Sequence, residues 1–219
     1  MIDLIKLLNV NYQFNGSSGV SGISFEVKPS EFVLMVGKTG AGKTTLLKLI
    51  SLELIPASGE IFLEKFRSSG IKPSTLPFWR RQLGIVYQDF RLLRERTALE
   101  NVRLAAACER NLPNRPKNRS LKALARVGLS HKIHSYPDEL STGEQQRITI
   151  ARALVNEPFL LLADEPVSNL DEETSIEIIE LLQKLNQAGT AMLVATHQPE
   201  RFTPCQPRYI RIKEGMIVE

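Results

Sequence analysis

One short run of residues has the types and spacing needed to hold the phosphates of a nucleoside triphosphate. It matches the pattern G-x-x-x-x-G-K-[ST] and reads Gly37-Lys38-Thr39-Gly40-Ala41-Gly42-Lys43-Thr44. Glycines let the backbone N–H groups point at phosphate oxygens, Lys43 adds a cation for the β- and γ-phosphates, and the Thr44 hydroxyl can bind Mg²⁺. A glycine-rich loop without a ligand is the alternative interpretation. The run predicts triphosphate binding but does not identify the reaction.

A pair of carboxylates adds a possible catalytic function. Asp164 and Glu165 come directly after the apolar run Leu160-Leu161-Leu162-Ala163. A carboxylate at the C-terminal end of a core strand lies where α/β folds bind their ligands. We expect Asp164 to hold Mg²⁺ through water, and Glu165 to orient an attacking water or accept its proton. The alternative is an ordinary strand end with solvated acids, which the phosphate-binding run in the same chain disfavours.

The elements that must position these residues alternate between strand and helix patterns, which predicts an α/β fold. Asp171 is the expected N-cap of one helix, with Glu172 and Glu173 in its first turn and Gly189 after its end. Strands are predicted over residues 32–36, 159–163 and 191–195, helices over 43–52 and 172–188, and a hairpin around 214–215.

The middle of the chain has a different pattern. Between Leu92 and Tyr136 the strand signals vanish, and helices are predicted over 97–109 and 120–127. Residues 112–118 contain two prolines and are predicted as a loop. We interpret this region as a helical insertion in an α/β core rather than an independent domain.

Further motifs make the chain resemble the ATP-binding cassette (ABC) ATPases over nearly its whole length. Leu140-Ser141-Thr142-Gly143-Glu144-Gln145 resembles the signature motif of that family, with its helix expected over 146–154. Gln88 resembles the Q-loop glutamine, Ser168-Asn169-Leu170-Asp171 the D-loop, His197 the switch histidine, and Tyr12 the aromatic residue that stacks on adenine. The order and spacing of these motifs together are highly specific.

This resemblance implies a fold and its organisation. The fold is a P-loop ABC ATPase core of the α/β class with an antiparallel β subdomain and a helical insertion. It forms a single domain over residues 1–219, with the core at approximately 1–88 and 158–219 and the helical subdomain at approximately 89–157.

The resemblance also implies hydrolysis of ATP to ADP and phosphate, with ATP and Mg²⁺ bound. The implied catalytic residues are Lys43, Gln88, Glu165 and His197, and the implied Mg²⁺ ligands are Thr44, Gln88 and Asp164. The implied ATP-binding residues are Tyr12, Gly37, Lys38, Thr39, Gly40, Ala41, Gly42, Lys43, Thr44 and Thr45, joined by Ser141, Gly143 and Glu144. Ser141 and Gly143 would act across the interface of a head-to-tail homodimer that ATP closes.

Several positions depart from the pattern of the family. Thr142 stands where glycine is usual, and its β-carbon could crowd the backbone approach to the γ-phosphate. Ser30, Val167 and Gln198 also differ from the common residues. None of these changes removes a charged catalytic group, so we expect an active but slow enzyme.

Within the family, the chain is similar to the FtsE group of cell-division ATPases, mainly through residues 80–93, 96–97 and 100–102. That similarity implies an FtsX-like integral membrane partner contacted near residues 88–93, and indirectly a cell-wall hydrolase or its activator. It also implies a peripheral location on the cytoplasmic face of the inner (plasma) membrane. The alternatives are an exporter or lipoprotein-releasing ATPase, a soluble ABC ATPase, and a non-hydrolysing regulator, which the intact Glu165 and His197 disfavour.

The composition of the chain argues against several other classes of protein. The chain has 219 residues, 42% hydrophobic and 24% charged, and a net charge of +4, which is too small an excess to indicate nucleic acid. No apolar run approaches the roughly 18 residues of a membrane span, and the N-terminal residues do not resemble a signal peptide. Cys108 and Cys205 lie far apart, which argues against a disulfide framework or a thiolate zinc site.

A few single residues keep two interpretations. His131 and His134 are spaced like a metal-binding pair, but a solvated loop explains them better. Trp79 is expected to be a packing residue. A set of arginines could form an electropositive face toward a membrane partner or lipid headgroups, or only a solvated surface. This set consists of Arg91, Arg94, Arg96 and Arg103.

Overall fold

A computed structural model describes residues 4–14, 19–64, 66–106 and 115–218. Among these residues the strands form two sheets. The smaller, antiparallel sheet has the order β2-β1-β4-β5 and contains β1 (Ile5–Tyr12), β2 (Val20–Val27), β4 (Ser58–Leu63) and β5 (Phe66–Arg67). The larger sheet contains β3 (Phe32–Val36), β6 (Leu83–Val86), β7 (Leu160–Asp164), β8 (Ala191–Thr196), β9 (Arg208–Lys213) and β10 (Met216–Val218).

The larger sheet has the order β10-β9-β3-β8-β7-β6, and its pairs are parallel except for β10 against β9. Its central strands are apolar on both faces, as a sheet covered on both sides requires. In β3, for example, Leu34 belongs to one buried cluster and Val33 and Met35 to the other. The expected α/β fold with an antiparallel subdomain is therefore confirmed.

Helices of the described residues cover the sheet and form the insertion. They are α1 (Lys43–Ile50), α2 (Leu76–Arg81), α3 (Ala98–Ala106), α4 (Arg115–Arg126), α5 (Thr142–Leu154) and α6 (Glu172–Gln187), with short 3₁₀ turns at Ser130–Lys132, Pro137–Glu139 and Pro199–Cys205. The helices α3, α4 and α5 follow β6 and precede β7 in the chain, and they pack against one another. Their arrangement agrees with the helical insertion inferred from the sequence.

Parallel pairing brings the candidate functional residues to one edge. Val36 pairs with Thr196, and Asp164 pairs with Ala195, so β3, β7 and β8 end together. The residues that come next after these strands are Gly37, Glu165 and His197. Three segments that are distant in sequence therefore meet at the C-terminal edge of the sheet, where α/β folds hold ligands.

Most predicted elements are confirmed, with differences at their ends. The strand predicted over 159–163 spans Leu160–Asp164, and the helix predicted over 172–188 spans Glu172–Gln187. Asp171 caps that helix as expected, since its Oδ1 accepts from the Thr174 N–H at 2.9 Å. The β9–β10 pair confirms the hairpin at 214–215.

Two predictions in the insertion are wrong. The loop predicted over 112–118 is helical from Arg115, because Pro116 lies in the first turn, where proline needs no N–H partner. The signature helix predicted over 146–154 begins at Thr142 instead, because Ser141 and Glu144 form a capping box that starts it earlier. The helix predicted over 97–109 begins at Ala98 and is described to Ala106, and its residues 107–109 lie outside the described residues.

Other single residues have the following environments. Trp79 is fully buried, and its indole N–H donates to the Ile50 carbonyl at 2.8 Å, which confirms a packing residue. Cys205 is a free, half-buried thiol whose pKa burial raises to about 11, while Cys108 lies outside the described residues. No metal-binding cluster surrounds His131 and His134 in the described part of the chain. None of the described helices is both long and apolar enough to cross a bilayer.

Candidate functional site

The phosphate-binding loop has a backbone that requires glycine at two positions. Gly42 precedes α1 with a φ of 108°, a region that side chains rarely adopt. A β-carbon at Gly37 would lie 2.3 Å from the Ile212 carbonyl oxygen on β9. Glycine at these two positions therefore lets the loop pass close to β9 and turn into α1. In this conformation its backbone N–H groups can point at a phosphate bound at the N-terminus of α1.

Lys43 is held inside this loop. Its side chain is only 6% exposed, and Nζ donates to the Gly37 carbonyl at 2.7 Å and the Lys38 carbonyl at 3.3 Å. Nζ also lies 3.4 Å from Glu165 Oε1. The ammonium group is thus positioned by short polar contacts that phosphate oxygens can replace.

Glu165 joins the loop to the end of β8. Its Oε1 lies 2.9 Å from His197 Nδ1, and its Oε2 accepts from the His197 backbone N–H at 3.3 Å. The Glu165 backbone has a φ of 46°, which is uncommon for a residue with a side chain. Its N–H donates to Ala195 O at 2.9 Å, and Ser168 donates to its carbonyl through N–H and hydroxyl. These bonds hold the carboxylate between the ammonium and imidazole groups.

Asp164 and Thr44 supply oxygen atoms beside this carboxylate. Burial raises the pKa of Asp164 above its ordinary value, and a hydrogen bond from Thr44 opposes that shift. Asp164 Oδ1 is buried without a hydrogen-bond partner in the described structure. A buried carboxylate oxygen without a partner next to a hydroxyl group is a donor set that suits Mg²⁺, which prefers oxygen ligands and retains waters. The predicted Mg²⁺ ligands Thr44 and Asp164 therefore fit that ion.

Two clefts meet at this edge of the sheet. The first has a volume of about 370 Å³, and nine of the predicted residues line it: Thr39, Gly40, Gly42, Lys43, Thr44, Thr45, Gln88, Glu165 and His197. The second has about 360 Å³ and is lined by Asp164, by Tyr87 to Asp89, and by Asn169 among others. Thr44 and Gln88 line both clefts and so form the wall between them. The remaining loop residues Gly37, Lys38 and Ala41 line a separate cleft on the outer side, with Arg211 and Lys213.

The predicted adenine contact, Tyr12, lies beside the first cleft rather than in it. It lines a neighbouring cleft with Gly19 and Glu214. The first cleft is lined instead by Phe14, whose ring packs edge-on against Tyr12 with centroids 4.9 Å apart. Sequence reasoning missed Phe14, although an aromatic residue two positions from Tyr12 was a signal that could have included it.

The signature residues lie outside the first cleft. Ser141 Oγ accepts from the Glu144 N–H at 3.2 Å, and Glu144 Oε2 accepts from the Ser141 N–H at 2.9 Å. The Ser141 N–H lowers the pKa of Glu144, an effect that burial opposes and that Lys132, at 3.5 Å, strengthens. Neither Ser141, Gly143 nor Glu144 lines the cleft that contains Lys43. One chain therefore assembles only part of the predicted ATP-binding set.

Sequence reasoning also missed the contacts that position this helix start. A β-carbon at Gly143 would lie 2.4 Å from Thr174 Cγ2 on α6. The side chain of Gln146 is buried, and its Nε2 donates to the Pro166 carbonyl at 2.8 Å, one residue after Glu165. No sequence pattern reveals these contacts, because they join residues more than 15 positions apart.

Comparison with known proteins agrees with this geometry. A family model described as ABC transporter matches residues 20–168. The cell division ATP-binding protein FtsE of Bacillus subtilis is 43% identical over 204 residues, which are 93% of this chain and 90% of that protein. FtsE of Escherichia coli is 38% identical over 202 residues, 92% of this chain and 91% of that protein.

Solved structures give the same result for the fold. The dimeric structure of a post-hydrolysis state of the ATP-binding cassette MJ0796, bound to ADP and Pi, matches with a TM-score of 0.86 and 33% identity. The match covers 98% of this chain and 97% of that one. CbiO1 from Clostridium perfringens, part of the ABC transporter complex cbiONQ, matches with a TM-score of 0.90 and 28% identity over 100% of this chain and 88% of that one.

Proposed function

This chain belongs to the ABC transporter family and is an ATPase, and we propose that it is the nucleotide-binding subunit of a membrane complex in cell division. The role in division is inferred from relatives named FtsE that are similar over nearly the whole chain. The proposed partner is an FtsX-like integral membrane protein, through which ATP hydrolysis would act on a cell-wall hydrolase or its activator. The chain would lie peripherally on the cytoplasmic face of the inner membrane and would not bind nucleic acid.

The structural observation behind the proposal is the incomplete site, which indicates that the subunit acts as a pair. Lys43, Glu165 and His197 lie together in one cleft, while Ser141 and Gly143 lie outside it. The N-terminus of α5, with free N–H groups and the Ser141 hydroxyl, is an anion-binding end that has no phosphate to meet in its own chain. Two copies arranged head to tail would place each α5 N-terminus over the cleft of the other.

In the proposed reaction, positioning and charge stabilisation lower the barrier. Lys43 Nζ would exchange the Gly37 carbonyl and Glu165 for β- and γ-phosphate oxygens. Glu165 would then be released from its contact with Lys43 and could accept the proton of the attacking water. His197 would donate to the γ-phosphate after leaving Glu165. Gln88, in the wall between the clefts, would contact both the water and the metal.

The Mg²⁺ ion, when bound, neutralises charge on the β- and γ-phosphate oxygens. Thr44 and Asp164 would hold it, the latter through water, because their oxygens are adjacent and Asp164 Oδ1 lacks another partner. Gly37 to Thr45 would surround the phosphates with backbone N–H groups. The adenine would stack on the aromatic pair Tyr12 and Phe14 at the mouth of the cleft.

A mixing experiment tests the shared site. Lys43→Ala disables the cleft of its own chain, and Ser141→Arg disables the surface offered to the other chain. Each variant alone should release almost no phosphate. An equal mixture should recover about a quarter of wild-type turnover, because half of the dimers are mixed and each has one intact site.

The control for that experiment mixes Lys43→Ala with Glu165→Gln. Both changes lie in the same cleft, so every mixed dimer keeps two defective sites and no recovery is expected. Recovery in the control, or none in the test mixture, would contradict the shared site.

The groove for the membrane partner is proposed at the second cleft. Phe90 and Arg91 both have positive φ values, 54° and 50°, which is unusual for two consecutive residues with side chains. Arg152 holds this turn by donating to both carbonyls, and the Arg91 guanidinium stacks on the Tyr87 ring at 3.7 Å. Because Gln88 borders both clefts, a partner segment bound here would be coupled to the nucleotide.

Co-purification from detergent extracts distinguishes the division role from transport. A tagged wild-type chain should retain an FtsX-like protein, and Arg91→Glu should retain several-fold less. Arg103→Glu, an equal charge change on exposed α3, is the matched control and should retain the wild-type amount. Recovery of an exporter or lipoprotein-releasing membrane subunit instead would favour the transport alternative.

A further inference from the structure

The charges of the chain are unevenly distributed along its length. Residues 110–137 contain seven of its 28 Lys and Arg and none of its 24 Asp and Glu. The rest of the chain, with 21 cations against 24 carboxylates, is net acidic. Charge segregation within one chain is typical of a protein that meets a polyanion on the basic side.

In the described part of this stretch, cations lie on the outer side of α4. Arg119, Lys122 and Arg126 are spaced i, i+3 and i+7, which places them along one side of the helix. Lys122 and Arg126 are exposed, as is Lys117. Another side of the same helix is buried against α3 and α5 through Ala123, Leu124 and Val127.

The charges on α4 are not balanced within the helix. The helix contains no Asp or Glu, so the repulsion between Lys122 and Arg126, four residues apart, is not relieved by a neighbour on the helix. Lys117 lies near the helix N-terminus, where the dipole disfavours a cation. Among the described residues, no ion pair involves Lys117, Lys122 or Arg126. An external anionic surface would relieve all of these interactions.

Other arginines of the insertion already have carboxylate partners. Arg91 pairs with Asp89, Arg94 with Asp138 and Arg96 with Glu100, at distances of 3.1, 3.8 and 3.7 Å. The electropositive face considered from the sequence is therefore mostly neutralised. The uncompensated charge lies on α4.

We propose that Lys122 and Arg126, here called the α4 basic face, bind anionic lipid headgroups at the membrane surface. This inference rests on the proposed function, which places the chain beside a bilayer. Long, flexible basic side chains along one exposed helix can reach the phosphate groups of a flat lipid surface. A single-stranded nucleic acid fits less well, because α4 carries no aromatic residue for base stacking. None of the four clefts around the candidate site has a lining residue from α4, so the α4 basic face is separate from those clefts.

Vesicle co-sedimentation of the full chain tests the proposal. The chain should bind vesicles of phosphatidylcholine and phosphatidylglycerol in equal parts but not vesicles of phosphatidylcholine alone, and added salt should weaken binding. Lys122→Gln combined with Arg126→Gln should lower the partition coefficient about 30-fold, since each cation near an anionic surface contributes about a fivefold factor. The matched control, Lys72→Gln with Lys184→Gln, removes the same charge from exposed positions elsewhere and should bind like wild type.

Three results would overturn the proposal: no binding to the phosphatidylglycerol vesicles, equal weakening by both double variants, or binding of duplex DNA that depends on Lys122 and Arg126 without vesicle binding. Circular dichroism should show that both double variants remain folded, and Gln is a good helix former at these positions. The vesicle assay needs neither the membrane partner nor hydrolysis, and the mixing experiment needs no lipid. Failure of one is therefore distinguishable from failure of the other.

Discussion

At the scale of the single residue, Glu165 is fixed by several contacts in the cleft. Its Oε1 lies between Lys43 Nζ and His197 Nδ1, at 3.4 and 2.9 Å. Its left-handed backbone, φ 46°, is the kind of strain that persists where surrounding bonds fix a functional residue. Asp164, one residue earlier, faces the second cleft instead. Adjacent carboxylates thus have different environments, which suits a base and a metal ligand.

Glu165→Gln should remove the base while keeping the size of the side chain. Turnover should fall by about 10²- to 10⁴-fold, the usual contribution of general acid–base catalysis. Binding of Mg-ATP should remain, because the Glu165 carboxylate competes with the phosphates for the Lys43 ammonium group and is not needed to hold that group in place. Phosphate release and calorimetric titration measure the two effects.

The matched control for that prediction is Glu173→Gln, an exposed carboxylate on α6 that should leave both quantities unchanged. Phosphate release at the wild-type rate by the Glu165 variant would contradict its role as the base.

The cap at Asp171 predicts a dependence of stability on pH. The Thr174 N–H, and then its hydroxyl, lower the pKa of Asp171 below its ordinary value. The stabilisation is therefore complete above the unfolded pKa of about 3.9 and is lost as pH falls through the lower, folded pKa. Asp171→Ala should lower the Tm at neutral pH, and the difference from wild type should shrink below about pH 4. A difference that stays constant across this range of thermal unfolding experiments would contradict the assignment.

At the scale of the element, α5 connects the two halves of the proposed shared site. Its N-terminus carries Ser141, and one turn later Gln146 donates to the Pro166 carbonyl beside Glu165. Gly143 packs against Thr174, whose hydroxyl donates to Asp171 in the D-loop at 2.7 Å. The helix that would meet the partner's nucleotide is therefore packed on the segments that hold this chain's own carboxylates.

Gly143→Ala should destabilise the chain, although alanine is normally the better helix former. The added β-carbon would lie 2.4 Å from Thr174 Cγ2, and the hydroxyl bond to Asp171 fixes the Thr174 rotamer. Overpacking of this kind costs about 1–3 kcal/mol. Thermal or urea unfolding measures the loss.

Thr174→Ser provides the control for this contact, because serine removes the clashing methyl group and keeps the capping hydroxyl. In the Thr174→Ser background, Gly143→Ala should become neutral or stabilising. Equal destabilisation in both backgrounds would show that the Thr174 methyl group is not the cause.

At the scale of the whole molecule, the parallel sheet determines where the residues of the candidate cleft lie. The strands β3, β7 and β8 end together, so the phosphate loop, the carboxylates and His197 form one edge. The insertion α3–α5 presents Ser141 and Gly143 away from that edge's cleft. The cleft and the residues Ser141 and Gly143 therefore do not meet within one copy, and the proposed two-fold pair would bring them together.

Dilution of the wild-type chain should therefore lower its turnover per chain once the dimer dissociates. Phosphate release measured across a dilution series at saturating Mg-ATP tests this expectation. Adding an excess of Lys43→Ala chain, which keeps Ser141, should restore turnover of the dilute wild type, whereas an unrelated carrier protein should not. A specific rate independent of concentration, with Ser141→Arg fully active, would contradict the shared site.

Local patterns were sufficient for many of the elements. The phosphate-binding run, the cap at Asp171 and the apolar strand over 32–36 depend on residues close in sequence, and the structure confirms the elements they predict. The predicted start of α4 is wrong. The two prolines in residues 112–118 favour a loop, but the first turn of a helix tolerates a proline. The roles of the site residues and the subdomain boundaries stay predictions.

The sequence by itself determined the chemistry that is available: which residues have the types and spacing to bind phosphate, which carboxylates come after a buried strand, and which motif starts α5. These are properties of residue type and short spacing, and physical chemistry fixes them locally. Only the tertiary structure decided which of these residues meet. Strand order brought Glu165 to Lys43 and His197, placed Phe14 rather than Tyr12 in the cleft and left Ser141 outside it. Such pairings depend on the path of the chain between distant segments, and a linear pattern does not record that path.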